Sequence, residues 1–189
     1  MSILYVFAGN NGSGKSTYRS IIKDKINTDV DLDFDSILRS NQHKGLEVAV
    51  RHSTRHLNKE FNRCIENRNI FSIETTLSGR TFSDKIRQAK ENGYRVIMYC
   101  LYLNHVDLNL LRIKFRVAKG GHDIPEEDVR RRDVRTLQNL ISLASSIDEL
   151  YIVNTSGKEG IEMAYISSGL LVRQNPNAPE WVYKLITDR

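Results

Sequence analysis

The fold of this chain is decided by the stretch Gly9-Asn10-Asn11-Gly12-Ser13-Gly14-Lys15-Ser16. It matches G-x-x-x-x-G-K-S, the pattern of phosphate-binding loops (P-loops). An apolar run at 3–7 precedes the loop and predicts a short buried strand, and apolar residues at helical spacing follow it up to Ile26. This strand–loop–helix context favours a true P-loop over a Gly-rich turn that binds nothing.

Each part of the loop has a predicted contact with a nucleotide. The glycines let backbone N–H groups surround an anion, and the positive end of the following helix adds to that field. We expect Lys15 to reach the β- and γ-phosphates and the Ser16 hydroxyl to bind Mg²⁺. The expected nucleotide-binding residues are consecutive: Gly9, Asn10, Asn11, Gly12, Ser13, Gly14, Lys15, Ser16 and Thr17.

Composition limits the class of protein. The length of 189 residues predicts a single domain over residues 1–189. No apolar stretch reaches ~18 residues, so no membrane span is expected, and the N-terminus lacks a signal-peptide layout. Cys64 and Cys100 are predicted to be buried free thiols of a cytoplasmic protein. The net charge of +5 suits anionic small molecules and permits nucleic acid without requiring it.

Strand and helix patterns alternate along the chain. They predict an α/β fold of the P-loop NTPase kinase type, with a parallel five-stranded sheet and helices on both faces. A β-hairpin is expected at 161–173 and a short helix at 178–186. The strict alternation of aspartates with apolar residues at 29–35 predicts a strand that is at an edge of the sheet or has one solvent-exposed face, because a doubly buried strand could not hold four carboxylates.

Ligands of such sheets bind at the carboxyl ends of the strands, where several carboxylates and hydroxyls are predicted to meet. Asp35 is the candidate base, and Asp33 is a candidate for holding the metal or positioning that base; a solvated acidic edge is the alternative for both. Glu74 ends an apolar strand, where a carboxylate is costly without a partner. Thr76 is either a substrate contact or, like Ser78, a helix cap. Gly79 is expected to permit close backbone approach at a second anion site.

A basic stretch is predicted to form a lid over the phosphates. An apolar seam of Leu108, Leu111, Phe115 and Ala118 is expected on one helix, with Arg116 beside it. On the next helix Arg131 and Arg135 are predicted to face solvent, whereas Arg130 falls in the apolar arc and Arg132 flanks it. Arg116, Arg130 and Arg132 are therefore the lid candidates, with Gly120-Gly121 as a hinge. A nucleic-acid surface is the alternative, which the interspersed acidic residues disfavour.

Three blocks together resemble the zeta-toxin-like P-loop kinases, in their compact branch: 8–17, 71–79 and 116–127. The resemblance covers roughly residues 3–155. It implies ATP-dependent phosphorylation of the sugar 3′-hydroxyl of UDP-N-acetylglucosamine. It also implies a base at Asp35, a P-loop lysine at Lys15, substrate contacts at Glu74 and Thr76, and phosphate-clamping arginines at Arg116 and Arg132. The chain departs from the compact branch at Asp133, where that branch often has an aromatic residue.

The sequence thus predicts a small-molecule kinase that uses ATP and Mg²⁺, with a UDP-sugar as substrate. The resemblance implies a toxin that a cognate antitoxin protein would block. Two other functions stay open: a kinase of another hydroxylated metabolite or nucleotide, and an ATP-driven switch that binds a partner or nucleic acid. We expect no membrane association.

Overall fold

All strands of the computed structural model belong to one mixed sheet, within the described residues 1–34, 37, 46–79 and 81–186. The strands are β1 (Ile3–Ala8), β2 (Val30–Leu32), β3 (Phe71–Thr75), β4 (Arg95–Tyr102), β5 (Glu149–Asn154), β6 (Ile161–Ser167) and β7 (Leu170–Gln174). Their order is β2-β3-β1-β4-β5-β6-β7. The first five are parallel, as predicted, and the antiparallel hairpin β6–β7 extends the same sheet.

Helices cover both faces of this sheet. They are α1 (Lys15–Ile22), α2 (Leu46–Glu66), α3 (Thr81–Glu91), α4 (Val106–Ala118) and α5 (Glu126–Leu143), with a 3₁₀ segment at Glu180–Leu185. The main core includes Phe61 of α2, Ile86 of α3 and Leu140 of α5, together with alternate residues of β1. Phe7 points to the opposite face and packs with Ile22 of α1. The predicted fold class is confirmed.

Burial tests the prediction for the two cysteines. Cys64 and Cys100 are buried free thiols, as expected. None of the helices in the described part of the chain is long and apolar enough to span a membrane.

The aspartate-rich strand is shorter than its pattern predicts. Strand β2 pairs with β3 alone and is therefore at an edge, as expected, but it ends at Leu32. Asp33 follows the strand and Phe34 already has helical conformation, so the alternation at 29–35 overstates the extended segment. Inside the strand, Asp31 accepts a hydrogen bond from Ser72 Oγ at 2.5 Å, which compensates one carboxylate of the edge.

The predicted seam of α4 is wrong. Leu111 and Phe115 are exposed by 48% and 62%, whereas Asn109, Leu110 and Ile113 are buried. The helix is rotated because its buried face includes a polar residue, Asn109, which packs on the P-loop. A count of apolar residues cannot recognise that face, and the rotation brings Arg112 and Arg116 toward the carboxyl edge of the sheet.

Candidate active site

The P-loop follows β1 and leads into α1, in a backbone conformation that requires glycine. Gly12 has φ +78°, and a Cβ built there would lie 2.6 Å from the carbonyl oxygen of Asn109. A side chain at this position would therefore separate the P-loop from α4.

Three polar side chains hold the P-loop from behind. Asn109 Nδ2 donates to the Asn11 carbonyl at 2.7 Å, and Thr155 Oγ1 donates to the Ser13 carbonyl at 2.8 Å. Asn10 Nδ2 donates to the Val129 carbonyl at 2.9 Å. The loop is thereby joined to α4, to α5 and to the segment after β5, which fixes the direction of its N–H groups.

Lys15 lies at the centre of the carboxyl edge. Its Nζ donates to the carbonyls of Gly9 at 2.8 Å and Asn10 at 3.0 Å. Lys15 lines two neighbouring cavities, which also share Asn11 and Glu74. These two cavities have opposite charge and are here called the basic cavity and the acidic cavity.

The basic cavity has a volume of about 440 Å³ and carries more cations than anions. Its walls are the P-loop, the exposed side of α1, α4 and the segment after β5; the charged lining residues are Lys15, Glu74, Arg112, Arg116, Lys158 and Glu159. No composition pattern in the sequence marks the segment 155–160 as part of the site. Thr155 and Gly160 nevertheless line this cavity.

Arg116 extends from the last turn of α4 into the basic cavity. Its Nη2 donates to the His122 carbonyl at 2.8 Å, and its Nε is buried with no hydrogen-bond partner in the described part of the chain. A Cβ at Gly121 would lie 2.6 Å from Arg116 Cγ and 2.9 Å from its carbonyl oxygen. Glycine at 121 therefore lets the loop after α4 pack against Arg116. The sequence predicted a hinge at Gly120-Gly121, and the structure shows this packing contact at Gly121.

Arg112, one turn earlier, is a cation that the sequence analysis left out of the site. Its Nη2 donates to the Thr155 carbonyl at 2.6 Å. Residues 112 and 116 are one helical turn apart and so share a face of α4. The spacing of Arg112 and Arg116 could have indicated that both face the site. The wrongly predicted apolar seam of α4 obscured which way that face points.

The two candidate arginines of α5 differ in position. Arg132 Nη1 donates to Asn11 Oδ1 at 2.9 Å, so it contacts the P-loop. Arg130 was expected to face inward, and this orientation is wrong. Its side chain is 47% exposed and forms ion pairs with Asp107 and Glu126 on the surface. Arg131 pairs with Asp128 and Arg135 is exposed, as predicted.

The acidic cavity lies beside β2 and β3 and has a volume of about 190 Å³. Its carboxylates are Asp33 and Glu74, and Thr76 contributes a hydroxyl-bearing residue. Phe34, Leu57 and Phe82 supply apolar surface; the sequence analysis did not predict them. A polar molecule with one apolar side fits such a lining.

Glu74 is the most constrained carboxylate of the site. Its Oε2 accepts a hydrogen bond from Ser16 Oγ at 2.9 Å, and its Oε1 lies 3.2 Å from Arg19 Nη2. Burial raises the pKa of the Glu74 carboxyl; the nearby Arg19 guanidinium and the Ser16 hydroxyl oppose that rise. The prediction that a carboxylate at 74 needs a partner is met by Arg19.

Arg19 is a second residue that the sequence analysis missed. It extends from α1 and also lies 3.7 Å from Asp33 Oδ2, so a single guanidinium bridges both carboxylates of the acidic cavity. Arg19 follows Ser16 by three residues and thus lies on the same face of the helix. The helical spacing could have revealed it, had the polar face of α1 been followed as well as the apolar one.

The connection from β3 to α3 holds Thr76 in place. Thr76 Oγ1 and Ser78 Oγ are 2.8 Å apart, and the Thr76 carbonyl accepts from Thr136 Oγ1 at 2.7 Å. Gly79 is exposed, and a Cβ there would meet no atom within 4 Å. Packing therefore does not require glycine at 79, and the expected close approach is not made by the described protein atoms.

Ser16 and Glu74 are the residues whose chemistry suits Mg²⁺. Their side-chain oxygens are 2.9 Å apart and face the basic cavity that Lys15 also lines. Among the residues that the structure describes, no group of three or more His, Cys, Asp and Glu side chains is arranged so that it could hold a metal ion. Mg²⁺ at nucleotide sites takes one or two protein oxygens and completes its shell with phosphates and water, so this donor set fits the ion. Asp35, the predicted base, lies outside the described residues.

Comparison with known proteins gives a consistent family. The family model described as Zeta toxin matches residues 2–161. The chain is similar to an uncharacterised protein of Haemophilus influenzae, with 37% identity over 126 residues that cover 67% of this chain and 89% of the relative.

Several solved structures resemble this fold, including the following two. One belongs to the PezAT chromosomal toxin–antitoxin system of Streptococcus pneumoniae, with TM-score 0.65, 14% identity, and coverage of 85% of this chain and 71% of that chain. The other is the AvrRxo1-ORF1:-ORF2 complex with ATP, with TM-score 0.66, 16% identity and coverage of 91% of this chain. This chain spans only 60% of that second protein. At these identities the similarity is one of fold.

Proposed function

Because the chain belongs to the zeta toxin family and is a phosphotransferase of the kinase type, we propose that it phosphorylates a UDP-sugar with ATP. The acceptor of first choice is the 3′-hydroxyl of UDP-N-acetylglucosamine. The observation that carries the proposal is the pair of cavities, basic and acidic, that share Lys15 and Glu74. A kinase needs two adjoining sites for donor and acceptor, with a cation between them.

The basic cavity is the proposed ATP site. Lys15, Arg112 and Arg116 would bind the triphosphate, and the P-loop N–H groups would surround its β-phosphate. Ser16 would hold Mg²⁺, which when bound neutralises phosphate charge. Arg132, hydrogen-bonded to Asn11, would clamp the transferred group from the α5 side.

The acidic cavity is the proposed acceptor site. Its volume of about 190 Å³ is below the ~300–1,000 Å³ typical of pockets that hold a whole drug-sized ligand, which suits one sugar ring. The carboxylates of Glu74 and Asp33 would accept hydrogen bonds from hydroxyl groups of the sugar, and the Thr76 hydroxyl would donate or accept one. Phe34 and Phe82 would pack against the apolar side of the ring.

The chemical step is an in-line displacement. The acceptor hydroxyl oxygen forms a bond to the γ-phosphorus, the bond from that phosphorus to the β–γ bridging oxygen breaks, and ADP leaves. Asp35 takes the hydroxyl proton; this role rests on the family resemblance. Lys15 and Arg116 stabilise the charge of the transferred phosphoryl group.

A protein partner is the second part of the proposal. Two of the solved structures that resemble this fold come from a toxin–antitoxin system and from the AvrRxo1-ORF1:-ORF2 complex. As the resemblance to the zeta-toxin-like kinases implies, this chain would be a toxin whose activity a cognate antitoxin blocks at the nucleotide site.

The test is mass spectrometry of ATP and Mg²⁺ incubated with the protein and a panel of UDP-sugars. We expect a mass gain of one phosphate on UDP-N-acetylglucosamine, and a ~10²–10⁴-fold slower reaction for Asp35→Asn with ATP binding retained. If no sugar nucleotide of the panel gains phosphate, the substrate claim is wrong. Cells that express the wild type should grow more slowly than cells that express Asp35→Asn; equal growth would contradict the toxin role.

A further inference from the structure

A third cavity, of about 690 Å³, contacts the P-loop without sharing a lining residue with the basic or the acidic cavity. Its walls are Asn10 and Ser13 of the P-loop, the segment after β4, α5 and the 3₁₀ segment at Glu180–Leu185. We call it the Trp181 cavity. It is larger than the proposed ATP site, and neither of the proposed substrates occupies it.

The lining of the Trp181 cavity combines rings, aliphatic groups and amides. The Trp181 ring is perpendicular to that of Tyr102, with centroids 5.3 Å apart. Both rings stay partly exposed, and Val134 is 59% exposed, so apolar surface remains available for burial. Among the polar lining residues, Asp133 and Lys184 carry opposite charges, which disfavours a ligand with a large net charge.

An unsatisfied hydroxyl group lies at the same cavity. Ser13 is fully buried, and its Oγ has no hydrogen-bond partner within the described ranges. Its carbonyl is already used by Thr155 Oγ1. A buried hydroxyl without a partner is costly, and a ligand that carries a hydroxyl or carbonyl group would relieve that cost.

The cavity is also linked to the catalytic lysine. The side chain of Asn10 lines the cavity, and its Nδ2 donates a hydrogen bond to Asp133 Oδ1 at 3.2 Å. The backbone carbonyl of Asn10 accepts a hydrogen bond from Lys15 Nζ at 3.0 Å. Ser13 and Asn10 thus line the Trp181 cavity on one side of the P-loop. The other side of the loop lines the basic cavity, the proposed site of the nucleotide phosphates. A molecule that orders these residues would stabilise the loop conformation that binds the nucleotide.

We propose that the Trp181 cavity is a regulatory site for a neutral small molecule with one ring and a hydroxyl or carbonyl group. Its occupancy strengthens nucleotide binding at the P-loop. The second statement rests on the proposed ATP site, whereas the first does not.

The binding test uses fluorescence of Trp181, the single tryptophan of the chain. Benzyl alcohol is the probe and toluene, which lacks the hydroxyl, is the comparator. We expect a saturable change in emission with both, and tighter binding of benzyl alcohol. Ser13→Ala should reduce that preference. An emission that does not respond to benzyl alcohol, or equal affinity for the two probes, would overturn the assignment.

A blocking variant and a matched control locate the effect. Val134→Phe adds a ring to an exposed residue of the cavity wall, so it should fold normally and lose the response to benzyl alcohol. Val172→Phe adds the same ring on β7, at a residue exposed by 54% that lines none of the described cavities, and should respond like the wild type. An unchanged response of Val134→Phe would place the probe elsewhere and overturn the proposal.

The coupling test is calorimetric titration of ADP and Mg²⁺ with and without saturating benzyl alcohol. We expect the Kd of ADP to fall at least ~5-fold in the wild type and in Val172→Phe, and to stay constant in Val134→Phe. A constant Kd in the wild type would overturn the regulatory role. Failure of ADP to bind at all would instead contradict the proposed ATP site, and the fluorescence result would still decide whether the cavity is a binding site.

Discussion

The basic and acidic cavities differ in whether their charged side chains are ion-paired within the protein. In the basic cavity the guanidinium groups of Arg112 and Arg116 are held by backbone carbonyls, and the ion pairs of the described residues do not include them. In the acidic cavity both carboxylates, Asp33 and Glu74, share the cation Arg19. The first arrangement keeps positive charge for a ligand, and the second compensates negative charge within the protein.

This difference indicates what each cavity binds. Carbonyl groups fix the direction of an arginine and leave its charge in place, which suits a polyanion such as a triphosphate. Carboxylates that are already paired can still accept hydrogen bonds from hydroxyl groups without demanding a cationic ligand. Lys15 and Glu74 line both cavities, so they are the residues at which donor and acceptor would meet.

The broadest effect is expected from Lys15→Ala, because Lys15 belongs to both cavities and its loss should affect both ATP binding and the transfer step. Loss of this cation should cost ~3–4 kcal/mol of transition-state stabilisation, or ~10²–10³-fold in kcat/KM. ATP with Mg²⁺ should raise the Tm of the wild type much more than that of the variant. Lys59→Ala, at an exposed residue of α2, is the control; equal shifts in all three proteins would contradict a working P-loop.

Removal of single arginines tests the basic side alone. Arg116→Ala and Arg132→Ala should each lower kcat by ~10³-fold, since arginines on a transferred phosphoryl group have effects of this size. Arg131→Ala and Arg135→Ala should leave kcat nearly unchanged, because both side chains face solvent. Steady-state kinetics of the four variants decide the matter; similar losses in all four would show that the assignment of helix faces is wrong.

A third prediction concerns pH and the acidic side. Because burial raises the pKa of Glu74, protonation should weaken acceptor binding at a higher pH than for a solvated carboxyl. The acceptor KM should therefore rise as pH falls through that raised pKa. Arg19→Gln removes the cation that lowers the pKa of Glu74, so this pKa should increase further. The increase in the acceptor KM should then begin at a still higher pH.

Kinetics at several pH values measure this effect, with Arg130→Gln as the control. Arg130 pairs with Asp107 and Glu126 on the surface, so its loss should not move the profile. An Arg19→Gln profile identical to that of the wild type would contradict the electrostatic link between Arg19 and Glu74.

The smallest expected effect comes from two glycines. Gly121→Ala places a Cβ 2.9 Å from the Arg116 carbonyl and should displace that arginine, with a loss of about tenfold in kcat, less than its removal causes. Gly79→Ala meets no atom within 4 Å and should be neutral. A Gly79→Ala enzyme impaired as much as Gly121→Ala would indicate that position 79 contacts a ligand.

The parts of this site that follow from sequence are those with local patterns. The P-loop at Gly9–Ser16 is recognisable because its glycines, lysine and serine are consecutive and flanked by a strand and a helix. The parallel order of the strands follows from their alternation with helices. Glu74 could be found because a carboxylate at the end of an apolar strand is unusual.

The parts that do not follow are set by packing between distant segments. Arg19 shares a face of α1 with Ser16, but the carboxylates at 33 and 74 that it pairs with come from distant segments. Asn109 is polar but buried against the P-loop. Because the buried face of α4 includes this residue, that face differs from the predicted apolar seam. Arg130 follows the apolar arc of α5 but ends in surface ion pairs, because Asp107 of α4 and Glu126 of its own helix supply carboxylates outside the core.

The central claim is that two cavities bind donor and acceptor at the same time. Titration of UDP-N-acetylglucosamine into protein saturated with ADP and Mg²⁺, followed by calorimetry, tests it most directly. We expect the sugar nucleotide to bind with nearly the same Kd as without ADP, and Glu74→Gln to weaken its binding more than that of ADP. Competition between the two ligands, or equal losses of both in Glu74→Gln, would contradict the account.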